Sequence, residues 1–345
     1  MYRIEKTRLP ELLQSIAAKQ DLFVPIKEDQ TCMFGLYSEG VTADMETLQT
    51  DVSPKGLFFP QSEALYNVKN QEGNLTITAE ELVNRNFVVF GLKACDYQGI
   101  EVLDRVFLSE PFDSYYAARR EHSLLITAAC HRPVETCFCS CFEIDPTNPT
   151  GDVSTWQSGE FLYWQPGSEK GKKLTEDVVS EGLLSETDAS EVEEEKEKIK
   201  AILERLPYRD LSLEKWGGDV LEERFDSPLW EELYKPCLAC GTCTFVCPTC
   251  QCYDIKDYNT GKEVIRYRCW DSCMYSDFTM MAHGNNRTSQ MQRFRQRYMH
   301  KLVYYPANYD GEYSCVGCGR CVNKCPAHLN IVKVIKAFER EGTDV

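Results

Sequence analysis

Long hydrophobic runs are missing from this chain of 345 residues. Apolar stretches such as Phe87 to Leu92 and Leu124 to Ala129 fall far short of the roughly 20 residues that a membrane-spanning helix needs. The opening MYRIEKTRLPELLQ has no apolar core of the kind a secretory signal carries, so the expectation is a soluble, cytoplasmic protein. Positive charge is also scarce. Lys and Arg number 38 against 54 Asp and Glu, and the net charge of −16 leaves no phosphate-tracking surface, which excludes nucleic acid as a partner. Nucleotide and hydrolase motifs are absent as well. There is no Walker loop, no GxGxxG after a strand, no HExxH and no GxSxG, and GLKAC is too poor in glycine to cradle a pyrophosphate. No catalytic residue is assigned.

Cysteine, by contrast, is abundant, with 18 residues, and it is patterned. Cys237, Cys240, Cys243 and Cys247 precede Pro248, and Cys315, Cys318, Cys321 and Cys325 precede Pro326. Both runs read C-x2-C-x2-C-x3-C-P, the spacing of [4Fe–4S] ferredoxins, in which the fourth cysteine reaches across to the other cluster. Cluster 1 is therefore assigned to Cys237, Cys240, Cys243 and Cys325, and cluster 2 to Cys315, Cys318, Cys321 and Cys247. Three thiolates spaced this closely wrap one cube only where the backbone turns tightly, so Gly241, Gly317 and Gly319 sit where side-chain bulk is not tolerated. Zinc knuckles are the competing reading. Structural zinc sites usually pair two C-x2-C halves, however, and a reducing cytosol disfavours disulfides.

Along the chain, residues up to about 175 read as an α/β domain with a mixed sheet. Arg3 to Lys19 has helical spacing, Asp21 to Ile26 is strand-like, and FVVFGL, the helix Tyr97 to Phe107 and LLITAA form a strand, helix and strand in series. DPTNPTGD breaks the pattern, and a hairpin is expected over 156–175 around Pro166 and Gly167. An acidic helical connector follows over 176–235. Its run ASEVEEEKEKIKAILERL reads as a solvated surface helix, and Trp216 to Tyr234 as the packed approach to the first cysteine run. Residues 236–345 form a mostly helical 2[4Fe–4S] ferredoxin-like domain, because a long, helix-prone insert separates the two runs. The fold class is α+β.

Eight ligands leave ten further cysteines (18 minus 8). Two readings stay open for them, a third cluster or buried thiols acting as small hydrophobes. The first choice of ligands for a third cluster is Cys137, Cys139, Cys252 and Cys273, with Cys95, Cys130 and Cys250 in reserve, while Cys32, Cys141 and Cys269 read as plain thiols. The insert also carries Arg266, Arg268, Arg287, Arg293, Arg295, Arg297 and Lys301. Such cations either favour the reduced, more negative clusters, dock a partner, or simply line a solvated helix face. His283 and His300 read as cluster neighbours or as structural histidines.

A family resemblance rests on KACD (Lys93 to Asp96), DSYYAARRE (Asp113 to Glu121), Cys130 followed by CFC at Cys137 to Cys139, CLACGTCTFVCPTCQCYD (Cys237 to Asp254), RCWDSC (Arg268 to Cys273), AHGNNR (Ala282 to Arg287), RFRQRYMHK (Arg293 to Lys301) and CVGCGRC with its CP. In these words the chain resembles the beta subunit of cytosolic sulfhydrogenases, of the [NiFe] hydrogenase type, and the A subunit of anaerobic sulfite reductase. Cys141, Cys269 and the acidic helix lie outside the shared pattern. The resemblance implies an electron-transfer subunit of a soluble hetero-oligomer, relaying electrons between a FAD/NAD(P)-binding reductase subunit and a catalytic hydrogenase or sulfite-reductase subunit. The alternative is an iron–sulfur enzyme with its own small-molecule or flavin site where Lys93, Cys95 and Asp96 follow a strand.

Overall fold

The computed structural model describes residues 1–71 and 74–341. In chain order the first part holds β1 (Tyr2–Glu5), α1 (Leu9–Ala17), β2 (Asp21–Glu28), β3 (Thr31–Leu36), β4 (Ser62–Gln71), β5 (Asn74–Ala79), β6 (Phe87–Leu92), α2 (Ala94–Phe107), α3 (Ser114–His122) and β7 (Ser123–Ala128). Then come β8 (Val153–Ser158), β9 (Phe161–Pro166), α4 (Glu169–Ser180), β10 (Ser185–Glu186) and α5 (Ser190–Leu203). The last part has α6 (Leu221–Phe225), α7 (Leu229–Leu233), α8 (Thr242–Phe245), β11 (Tyr253–Asn259), β12 (Glu263–Trp270) and α9 (Gln290–Met299). A π-helical turn (His300–Tyr304), α10 (Tyr305–Asn308), α11 (Arg320–Asn323) and α12 (Ile331–Arg340) complete it.

Every residue of β6 and of β7 is buried, the mark of parallel strands covered on both faces. They lie at the centre of an eight-stranded mixed sheet in the order β10-β1-β9-β8-β7-β6-β2-β3, in which β2, β6, β7 and β8 run parallel. Alternate side chains point to opposite faces. Val88, Phe90, Leu124 and Ile126 pack with Leu12 and Ile16 of α1 and Leu174 and Val178 of α4. Phe87, Val89 and Leu125 meet Ile100 and Leu103 of α2 and Tyr116 of α3. The acidic helix α5 docks as well, burying Val192 and Ile199 against Trp156 and Tyr163 while its Glu and Lys residues pair on the outside.

Two expectations are corrected. The hairpin lies at β8 and β9 with its turn at Gly159, and Pro166 and Gly167 instead lead into α4, because Ser168 caps that helix through Gly171 N–H. The insert between the cysteine runs opens with the β11–β12 hairpin rather than with helix. That hairpin joins β4 and β5 in a second sheet, order β11-β12-β4-β5, so strands from the two halves of the chain share one antiparallel sheet. Beyond it, α7, α9 and α12 gather around Trp216, Trp230, Phe294, Tyr298 and Phe338.

Candidate metal centres

The two cysteine runs adopt the same backbone path. Ala239 and Gly317 have φ of 53° and 56°, and Gly241 and Gly319 have φ of 75° and 76°, so each run makes two left-handed turns around its first three thiols. Space forbids a side chain at these glycines. A Cβ on Gly241 would lie 2.5 Å from Tyr275 Oη, one on Gly317 would lie 2.4 Å from the Phe138 carbonyl, and one on Gly319 would lie 2.5 Å from Thr136 O.

Three cavities open beside these turns. Cys237, Cys240, Cys243 and Cys325 line the first. Cys247, Cys315, Cys318 and Cys321 line the second. In each, three cysteines of one run face the fourth cysteine of the other, which is the crossed grouping set out from the spacing. Backbone N–H groups point at sulfur, with Ala239 N–H donating to Cys237 Sγ at 3.4 Å and Leu329 N–H to Cys325 Sγ at 3.2 Å. Burial pushes the Cys243 thiol up to about 11 and the Cys318 thiol up to about 12, so both are neutral thiols unless a metal takes the proton.

The surroundings suit an iron–sulfur cluster. Arg297 is 2% exposed and lies in the walls of both cavities, and its Nε and Nη1 find no acceptor among the described residues. A buried guanidinium with idle donors is costly unless an anion lies beside it, and a cluster carrying four thiolates is such an anion. Lys301, in the π-helical turn, donates to Thr249 Oγ1 at 2.7 Å and to Ser314 O at 3.0 Å. Burial opposes its charge, yet the neighbouring Cys247, Cys250 and Cys315 sulfurs hold its pKa above the usual lysine value. Lys55, reaching over from the N-terminal part, donates to Cys250 O at 2.9 Å and lies 4.1 Å from the Trp270 ring centroid.

Of the seven cations noted in the insert, Arg297 and Lys301 reach these cavities. Arg268 is spent instead on Glu63 and Asp113, Arg266 on Asp257, Arg295 on Phe225 O and Arg293 on Met274 O. Lys55 and Arg320 were not legible as site residues, although Arg320 lies inside the second cysteine run. Burial and the Lys301 charge hold His300 down at about 4, and it lines none of the three cavities.

The third cavity lies at the carboxyl ends of β6 and β7. Cys95 on the first turn of α2, Cys130 just after β7, and Cys137 and Cys139 line it together with Lys93, Arg320 and the wall of Cys318. The third ligand group set out from sequence is therefore divided. Cys137 and Cys139 come together with Cys95 and Cys130, whereas Cys252 and Cys273 stand elsewhere, paired with each other. Those two bracket the β11–β12 hairpin, whose antiparallel strands bring its ends together, and Asp271 N–H closes the base onto Cys252 O at 2.9 Å. The Cys273 thiol donates to the Cys252 sulfur and lowers its pKa to about 7. Cys32, Cys141 and Cys269 line none of these cavities; burial pushes Cys32 up to about 11, and Cys141 Sγ lies 3.2 Å from Tyr208 O. Among the described residues no group of three or more His, Cys, Asp or Glu is set to hold a single metal ion.

Residues 236–329 match the family of 4Fe-4S dicluster domains. Along 346 residues, 99% of this chain and 98% of the relative, the sequence is 31% identical to the sulfhydrogenase 2 subunit beta of Pyrococcus furiosus. The chain belongs to the sulfhydrogenase beta-subunit family. A dicluster domain carries two [4Fe–4S] clusters, so this family member is an iron–sulfur protein of electron transfer. When bound, such clusters take up and release one electron at a time. The fold is α+β, a mixed sheet with helices followed by the dicluster segment. Among the described residues no helix is long and apolar enough to cross a membrane.

Proposed function

We propose that this chain is the electron-wire subunit of a cytoplasmic hetero-oligomeric oxidoreductase. It passes electrons between a FAD/NAD(P)-binding reductase subunit and a catalytic subunit of the hydrogenase or sulfite-reductase type, and makes no bonds itself. Cys237, Cys240, Cys243 and Cys325 hold cluster 1, and Cys315, Cys318, Cys321 and Cys247 hold cluster 2. The observation that carries this reading is Arg297, one buried cation with unpaired donors in the walls of two adjoining four-cysteine cavities. A cation so placed serves two neighbouring anions at once and leaves them close enough to exchange electrons.

Cluster 1 is the exchange point with a partner. Cys240 is exposed, and Leu238 beside it is 67% exposed, an apolar contact at the rim of the first cavity. The hetero-oligomeric, hydrogenase-type setting is supported by the relative, which by its name is one subunit of a sulfhydrogenase. The terminal acceptor is set by the catalytic partner, not by this chain.

Electron paramagnetic resonance of the anaerobically reduced protein tests the crossed ligands. Cys325→Ala is expected to remove or alter the signal of the cluster shared with Cys237, Cys240 and Cys243 while the other cluster keeps its signal. Loss confined to the Cys315, Cys318 and Cys321 cluster would reverse the assignment.

A further inference from the structure

The third cavity is built as the first two are. Its four thiols come from three separate stretches that the fold draws together, namely the strand-to-helix corner after β6, the residue just beyond β7, and the C-x-C of Cys137 and Cys139. The C-x-C segment is fixed from both sides. Phe138 N–H donates to Gly317 O at 2.9 Å, and Gln49 Nε2 bridges the flank of the segment to the second cysteine run, donating to Thr136 Oγ1 at 3.4 Å and to Cys318 O at 2.6 Å. The absent side chains of Gly317 and Gly319 leave the room in which Thr136 to Cys139 lies, so the loop and the second cysteine run are shaped for each other.

Charge supports the same conclusion. Lys93 is 5% exposed, lines this cavity, and has no side-chain hydrogen-bond or ion-pair partner among the described residues. Arg320 also lines it, with its charge met by a bidentate pair to Asp96 at 2.7 and 2.9 Å. A lysine so buried, with no direct ion pair, keeps its charge only where an anion lies in the cavity it lines. Four thiolates around an iron–sulfur core supply one. A single ion draws its ligands closer than a cluster core does, and no such tight group is found among the described residues.

We propose that Cys95, Cys130, Cys137 and Cys139 bind a third iron–sulfur cluster at the carboxyl ends of β6 and β7. The site deepens the electron-wire reading and rests on it for its role. Cys318 lies in the walls of both the second and the third cavity, as Arg297 does for the first and second. The three centres therefore form a series, 1 to 2 to 3, leading from the exposed rim at Cys240 to the central sheet. The crevice at these strand ends, where a flavin or other small molecule was the alternative, is occupied by metal ligands.

Iron and acid-labile sulfide, measured per chain on the full-length protein purified without oxygen, test this. Wild type is expected to hold about twelve irons if the third centre is a cubane and about ten if it is [2Fe–2S]. Cys95→Ala and Cys130→Ala are expected to fall to about eight while keeping the two remaining resonance signals, which also shows that they fold. Cys252→Ala and Cys273→Ala are expected to keep the wild-type content. About eight irons in wild type, or loss of iron in the Cys252 and Cys273 variants with none in the Cys95 and Cys130 variants, overturns the proposal and leaves the two-cluster wire standing. A wild-type protein with no iron would instead bring down the wire itself.

Discussion

At the residue scale, the cysteines and the cations beside them do different work. The thiols fix where a cluster sits, and the cations set how readily it accepts an electron, because reduction adds negative charge. Arg297 touches both dicluster cavities, and its Nε and Nη1 have no acceptor among the described residues. Arg297→Gln is expected to lower both potentials by about 60 mV, a tenfold shift in a one-electron equilibrium, with Arg297→Lys nearer to wild type. A redox titration followed by paramagnetic resonance reads both at once; unchanged potentials would mean the guanidinium serves packing alone. The dicluster cysteines were legible in the sequence because their spacing is local and is dictated by the cube itself. The third set was legible only as a list of possible members. Cys95 and Cys130 are brought together by adjacent parallel strands, and no local spacing records that pairing.

At the element scale, the N-terminal sheet was readable where hydrophobic runs were continuous, as in β6 and β7, and less so where turns decide the path. The β11–β12 hairpin did leave a trace, since Tyr253 and Ile255 alternate with polar residues and Thr260 and Gly261 form the turn. Almost all of β11 is exposed, so no buried apolar run marks it as a strand. The close fit between Gly317 and the loop at Phe138 is the element-level joint of the site. Gly317→Ala adds one methyl group against a backbone carbonyl at a positive φ of 56°, and is expected to cost about 2–4 kcal/mol of stability. The measurement is the thermal midpoint together with iron content. A variant with wild-type values of both would show that the loop yields freely, contrary to the packing described.

At the scale of the whole molecule, the two halves of the chain are locked by buried charge as well as by strands. Asp96 at the start of α2 holds Arg320 of the second cysteine run, and that arginine also donates to Thr50 O and Oγ1, each at 2.8 Å. Breaking such a pair leaves one buried charge without its partner. Asp96→Ala is therefore expected to destabilise the protein by about 3–5 kcal/mol, whereas Lys172→Ala, removing an exposed pair with Glu169, leaves the midpoint close to wild type. Urea midpoints of the two variants, compared side by side, check this, and equal midpoints would contradict a buried clasp.

The ladder that pairs β4 with β12 has a temporal meaning. Strands made early in synthesis wait with an open edge until the hairpin from the last third of the chain arrives, and the second cysteine run, Cys315 to Cys325, emerges later still. Metal loading is thus a finishing step. A fragment starting at residue 236 would carry the whole ferredoxin signature and yet be born without the neighbour that β12 leans on.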